Sequence, residues 1–136
     1  MRRLGWVLAA VMLKMGVATG QEINSQALLH PVPGTWPMYN GDYSGRRFSS
    51  LGQINAENVR RLKLAWKFQA KPGDLGNFLG GQIKSTPLLA DGVLYFSMPD
   101  NVWAVDANTG QEIWHYRWQS EGGIHIGNRG VDLWRS

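Results

Sequence analysis

From residue 64 onward, apolar and polar positions alternate with a period of two, and turn residues break the pattern at short intervals. Leu64-Ala65-Trp66-Lys67-Phe68-Gln69 is the first such run, with Ala65, Lys67 and Gln69 on one face. Alternation of this kind marks a strand that buries one face. Four more runs follow: Thr86 to Ala90, Val93 to Ser97, Val102 to Asp106 and Glu112 to Arg117. Asp91-Gly92 predicts a tight hairpin turn between the first two, since both residues tolerate positive φ. Met98 to Asn101 connects the second and third. Pro87 fits the opening of an inner strand, where no backbone donor is needed. Val131 to Trp134 starts a further apolar strand.

Before residue 64 the pattern is less regular. Gln21 to Gly34 is polar and then punctuated by Pro31 and Pro33, which predicts an irregular lead-in. Trp36 to Phe48 is aromatic, with Asn40-Gly41 as a turn. Asn55 is a good N-cap for a short helix through about Leu62, and Glu57 lies in its first turn, where the helix dipole favours an acid. Lys71 to Gly81 is Gly-rich and irregular. Met1 to Gly20 reads as a secretory signal: Arg2 and Arg3, an apolar run from Leu4 to Leu13, then small residues at Ala18 and Gly20. Lys14 interrupts the apolar part, so an uncleaved membrane-associated anchor is the alternative. No run reaches the ~18 apolar residues that span a bilayer.

The last hairpin holds the densest local chemistry. Ala104-Val105-Asp106-Ala107-Asn108-Thr109-Gly110-Gln111-Glu112-Ile113-Trp114 reads A-x-D-x-x-T-G-x-x-x-W. Asp106 can accept from backbone N–H groups of the turn, Thr109 can cap it, and Gly110 supplies positive φ. Trp66 and Trp114 lie 48 residues apart, each followed by one polar and one aromatic residue. A repeat near ~50 residues suits a four-stranded propeller blade, and a flat ring at a fixed offset from the turn suits packing on the neighbouring unit.

Composition agrees with short strands and turns: seven Trp, 17 Gly and six Pro in 136 residues. With no cysteine, neither a disulfide nor a thiolate metal site can form. The net charge of +4 is mostly N-terminal, because Arg2, Arg3 and Lys14 fall in a stretch with no acid. The remainder is close to neutral, and a nucleic-acid partner loses its main support. There is no phosphate-binding glycine loop, metal-ligand cluster or Ser-His-Asp set at usable spacing.

The 104–114 stretch resembles the tryptophan-docking motif of the quinoprotein alcohol dehydrogenases, eight-bladed propellers that use pyrroloquinoline quinone (PQQ). The run Phe48-Ser49-x4-Ile54-Asn55-x2-Asn58-Val59-x2-Leu62 is similar to their N-terminal signature. The family carries an acid or amide before the tryptophan at its start, where this chain has Thr35. The resemblance implies an all-β fold, the N-terminal part (closing strand plus about one blade) of an eight-bladed β-propeller. Residues 1–20 are then a signal peptide, 21–63 a lead-in with a short helix, and 64–136 the first part of the propeller, with Leu64 to Gln69 as the closing strand.

Site residues are implied by the same resemblance. Asn128-Arg129-Gly130 matches the family's N-R-G, whose arginine contacts the quinone oxygens. A guanidinium offers a rigid fork to an anionic cofactor with three carboxylates and an ortho-quinone. The alternative is a structural arginine on a loop carbonyl. Lys84 stands where many members carry a PQQ-contacting glutamate, and it either pairs with a cofactor carboxylate or is simply solvated. Gly123 and Ile124 replace two adjacent cysteines of well-known members and can cover one PQQ face by contact, with His125 adding a polar edge. Trp36, Trp103 and Trp118 are expected to pack rather than to form a cofactor platform. No catalytic base and no metal ligand is assigned in this chain; calcium ligands and the base are expected outside it.

The implied parent is a periplasmic PQQ-dependent dehydrogenase that oxidises an alcohol or sugar and passes electrons to an acceptor such as cytochrome c or a quinone. This chain is expected to be a piece of it, inactive alone. The rivals are a non-enzymatic propeller of PQQ-like repeats acting as a scaffold, and a small secreted interaction module complete at 136 residues.

Overall fold

The computed structural model describes residues 24–71, 83–119 and 129–134. Its centre is one antiparallel sheet of four strands laid down in chain order. These are β1 (Leu88–Ala90), β2 (Val93–Met98), β3 (Asn101–Asp106) and β4 (Glu112–Arg117). Such a meander is one propeller blade's worth of sheet. The β1–β2 turn has Asp91 at φ 50° and Gly92 at φ 74°, the doubly left-handed hairpin that the dipeptide predicts. β2 and β3 each run one residue further than the alternation suggests, leaving Pro99-Asp100 as the turn, with Asp100 at φ 60°. β1 starts at Leu88 rather than Thr86, because Pro87 has no N–H to enter a ladder.

Both faces of the sheet carry rows of directly opposed side chains. On one, Phe96 pairs with Trp103 and Trp103 with His115. Their rings stack in sequence, at 5.5 Å and 17° and then at 4.4 Å and 8°. Phe96, Met98, Trp103 and Val105 form the buried cluster of this face, with Phe68 and Ala70 packed against it. On the other, Tyr95, Ala104 and Trp114 are opposed. Ala104 is fully buried, and its small side chain lets the Tyr95 and Trp114 rings approach to 6.1 Å across it. Between Ala104 and Val105 the register slips, so Ala104 faces Trp114 and Val105 faces Glu112. Ile113 is the extra residue, a bulge that bends β4 at the turn.

The 64–70 segment corrects one expectation. Its alternation is real, with Trp66, Phe68 and Ala70 half-buried and Ala65, Lys67 and Gln69 exposed. Yet it is not a ladder strand. It lies over the Phe96–Trp103 face and is held by side chains: Phe68 meets Phe96 edge-on at 5.9 Å and 73°. A chain that lies on a face has no neighbouring edge to share backbone hydrogen bonds with. Val131 to Trp134 likewise shows the alternation, half-buried then exposed, without ladder pairing.

The lead-in is more structured than its composition suggests. A five-residue helix α1 (Ser25–Leu29) is capped by Asn24, whose Oδ1 accepts from Gln26 N and Ala27 N at 3.0 Å each. Trp36 then pairs with Leu89, N to O at 2.7 Å and O to N at 2.8 Å. This covers part of the open edge of β1, which would otherwise offer unpaired backbone groups. Gly41 has φ +87°, and a Cβ there would lie 3.1 Å from the Trp36 ring atoms, tighter than ordinary packing, so the bare glycine lets the ring sit against the turn. Trp36 and Trp103 are packing residues as expected, whereas Trp118 is 57% exposed.

The signature around Asn55 is explained by two reciprocal amides. Asn55 Oδ1 accepts from Glu57 N and Asn58 N at 3.0 and 3.1 Å. Asn58 Oδ1 returns the bond to Asn55 N at 2.9 Å, and its Nδ2 donates to Gln53 O at 2.7 Å. The cap is as the sequence predicts, but the chain beyond it forms a turn and a 3-10 stretch, Val59–Arg61, rather than a helix through Leu62. Val59 and Leu62 are both exposed, so no apolar face holds further turns in place. Asn55→Ala should destabilise this segment by about 1 kcal/mol, read as faster amide exchange at Glu57 and Asn58 with the sheet unchanged.

Candidate functional site

The β3–β4 turn is built as its residue types require. Asp106 Oδ1 accepts from Asn108 N at 2.9 Å, Thr109 N at 2.7 Å and Thr109 Oγ1 at 2.9 Å. The Thr109 hydroxyl in turn accepts from Gln111 N at 3.3 Å. Gly110 adopts φ +72° and donates its N–H to Asp106 O at 2.8 Å. The turn presents a bare glycine and the Ala107 carbonyl on one side, and Trp66 lands there. Its Nε1 donates to Ala107 O at 3.1 Å, and its ring covers the Gly110 Cα. The ring 48 residues upstream of Trp114 therefore rests on the Asp106–Gly110 turn.

Hydrogen bonds from the Thr109 backbone and hydroxyl hold Asp106 below the ordinary carboxylate value of 3.8. The folded turn prefers the carboxylate. Its stabilisation is therefore present above that value and is lost as pH falls through the lowered one. Asp42 is lowered in the same way by the Ser44 hydroxyl and N–H, which lie at 2.5 and 2.8 Å. Acid unfolding below about pH 4 should become shallower in Asp106→Asn and shallower again in the double variant Asp42→Asn/Asp106→Asn, measured by circular dichroism against pH.

The candidate cofactor residues sit elsewhere. Lys84 is exposed, on the segment that leads into β1. The residue after it, Ser85, is buried, with Oγ donating to Ser97 O at 2.8 Å and accepting from Ser97 N at 3.0 Å. Arg129 is also exposed and opens the 129–134 segment. Among the described residues no hydrogen bond joins Lys84 to Arg129, and neither has an ion-pair partner. Gly123, Ile124, His125 and Asn128 lie outside the described residues. Among the described residues no group of three His, Cys, Asp or Glu gathers to hold a metal ion, and no helix is long and apolar enough to cross a membrane.

Two residues without a sequence signal of their own carry contacts. His115 Nε2 lies 2.7 Å from Asn101 Oδ1, and Asn101 Nδ2 donates to Pro99 O at 2.7 Å. His115 alternates with the exposed residues of β4, which is the one hint of its inward face. Arg47 lies over the Tyr39 ring and reaches Thr86.

The family model for the glucose/ethanol/alcohol dehydrogenase β-propeller domain, a PQQ family, matches residues 36–136. The chain belongs to the PQQ-dependent dehydrogenase family. It is 33% identical to the quinohemoprotein alcohol dehydrogenase of Comamonas testosteroni, over 98% of this chain and 21% of that protein. Against quinohemoprotein alcohol dehydrogenase ADH IIB of Pseudomonas putida it is 46% identical, over 61% of this chain and 11% of the relative. Its structure is similar to the crystal structure of the Comamonas testosteroni enzyme, with TM-score 0.62 and 36% identity over 81% of this chain and 16% of that one. The chain thus spans about a fifth or less of the length of these curated relatives. As a member of the PQQ-dependent dehydrogenase family, it shows an all-β four-stranded sheet consistent with a propeller fragment, and Trp66 rests on its 106–110 turn.

Proposed function

We propose that this chain is the N-terminal part of an exported PQQ-dependent dehydrogenase that oxidises an alcohol or sugar, and that it contributes one side of the cofactor rim. One observation carries the reading: a family match over residues 36–136 includes two exposed cations, Lys84 and Arg129, with no ion-pair partner among the described residues. That donor set suits an acidic, multiply charged cofactor. Arg129 donates through its fork to quinone or carboxylate oxygens, and Lys84 pairs with a carboxylate as a point charge. Gly123 and Ile124 belong to the proposed set by resemblance and cover a cofactor face. When bound, PQQ supplies the two-electron acceptor for substrate hydride, with calcium polarising it. This chain's share is to bind and orient; the base and the calcium ligands are proposed to lie in the rest of the parent.

Trp66 on Gly110 is the tryptophan-docking contact of the family in use between the entering segment and the first blade. The exposed apolar side chains of Phe48, Leu51, Ile54, Val59, Leu62 and Leu64 support a parent with further blades, against which such side chains would be covered. Residues 1–20 are proposed as the export signal to the periplasm. Substrates are alcohols or sugars, and the electron acceptor is a cytochrome c or a quinone.

The test is PQQ titration of the native protein purified from its host, with calcium present. The unmodified protein should bind, and Arg129→Ala should weaken binding about tenfold or more, the worth of a charge-assisted hydrogen bond. Arg129→Lys should recover only part, because a lysine lacks the fork. A native protein that ignores PQQ would sink the reading and leave a non-enzymatic repeat scaffold in its place.

A further inference from the structure

Three non-glycine residues among those described have positive φ: Asp91, Asp100 and Arg47, the last at 53°. The two aspartates sit in hairpin turns, where such backbone is ordinary. Arg47 is in no hairpin and is not a residue type that favours the left-handed region, so other contacts hold it there. Its guanidinium lies 5.0 Å from the centroid of the Tyr39 ring, within cation–π range. From that platform Nη2 reaches Thr86 Oγ1 at 3.5 Å, across 39 residues of sequence. Tyr39 thus fixes the plane of the fork, and the edge of the fork meets the segment entering β1.

That segment is pinned at two successive residues. Ser85 is tied inward by its two bonds to the Ser97 backbone, and Thr86 is met from outside by Arg47. Lys84 is the next residue back, exposed, at the end of the pinned stretch. A flexible four-carbon side chain gains little from a charge partner unless its backbone is held. We infer that Arg47 is a positioning residue for Lys84, setting how the ammonium is presented to an acidic cofactor. The inference rests on the proposed reading of Lys84 as a PQQ contact.

A double-mutant cycle in the native protein tests it, reading the PQQ dissociation constant by titration and the thermal midpoint separately. Arg47→Ala should weaken PQQ binding about tenfold, as for loss of one charged contact, and should cost almost nothing more in a Lys84→Ala background. Thr86→Val, which removes only the hydroxyl acceptor and keeps the shape, should reproduce the effect. It also serves if Arg47→Ala does not fold. Thr86→Ser should restore wild-type binding. If Arg47→Ala and Thr86→Val leave the dissociation constant unchanged, or weaken it equally with and without Lys84, the inference is overturned while the PQQ reading stands. If the unmodified protein does not bind PQQ at all, both fall together.

Discussion

Gly110→Ala is expected to unseat Trp66 and to destabilise the fold by about 3 kcal/mol. Two costs combine. Alanine must adopt φ +72°, a left-handed conformation that costs an L-residue roughly 1–2 kcal/mol. Its methyl would also lie 2.5 Å from Trp66 Cε3 and 2.6 Å from Cδ2, closer than carbon atoms can approach. The indole has little room to give way, because its Nε1 is bonded to Ala107 O at 3.1 Å and Phe68, two residues on, is packed against Phe96. Either the turn opens or the ring leaves, and in both cases the 64–70 segment loses its anchor. Gly92→Ala separates the two costs. Gly92 has nearly the same φ, +74°, with nothing within 4 Å of the added methyl, so that variant should cost only about 1–2 kcal/mol. Urea unfolding of both variants, with the red shift of tryptophan emission as a second readout, decides the point. Equal losses in the two would mean that the indole contact contributes no stability.

The residues involved show which parts of the structure a sequence discloses. Asp106, Thr109 and Gly110 act on backbone within three residues of themselves, and short-range chemistry of this kind is legible in residue type and order. The hairpin at Asp91-Gly92 was legible for the same reason. The contact of Trp66 with the Gly110 turn is long-range, and the spacing of Trp66 to Trp114 is the one sequence feature that touches it. Contacts with neither a local rule nor a repeat were hidden. The Trp36–Leu89 pairing and the reach of Arg47 to Thr86 join segments dozens of residues apart through a lead-in whose Pro and Gly content reads as loop. Alternation at Leu64 to Gln69 correctly gave which side chains turn inward, but alternation does not report whether a backbone has a hydrogen-bonding neighbour. The short helix expected after Asn55 shrank to a 3-10 stretch because the cap is local while the burial that extends a helix is not. For the candidate site, Lys84 and Arg129 were indicated by the family resemblance at their positions, and the structure leaves both exposed.

Trp103→Ala is expected to cost about 3–5 kcal/mol, the range for deleting a large buried ring, and so to remove a large share of the ordinary margin of ~5–15 kcal/mol. Trp103 is 1% exposed on a central strand, stacked between Phe96 and His115. Its removal opens a cavity under Phe68 and takes away the ring that holds His115 flat beside Asn101. The surrounding sheet cannot close that space without slipping β3 against both neighbours. Trp103→Phe keeps an apolar ring in the same ladder and should cost roughly 1–2 kcal/mol, measured as a shift in the urea midpoint at constant slope. The same variant settles the role of the ring. A residue that only packs leaves the affinity of the folded native protein for PQQ unchanged when replaced by phenylalanine. A residue that forms a cofactor platform does not. Unchanged affinity with a lowered midpoint is the expected pair of results, because both faces of the Trp103 ring are already covered by Phe96 and His115 and neither is left to a ligand.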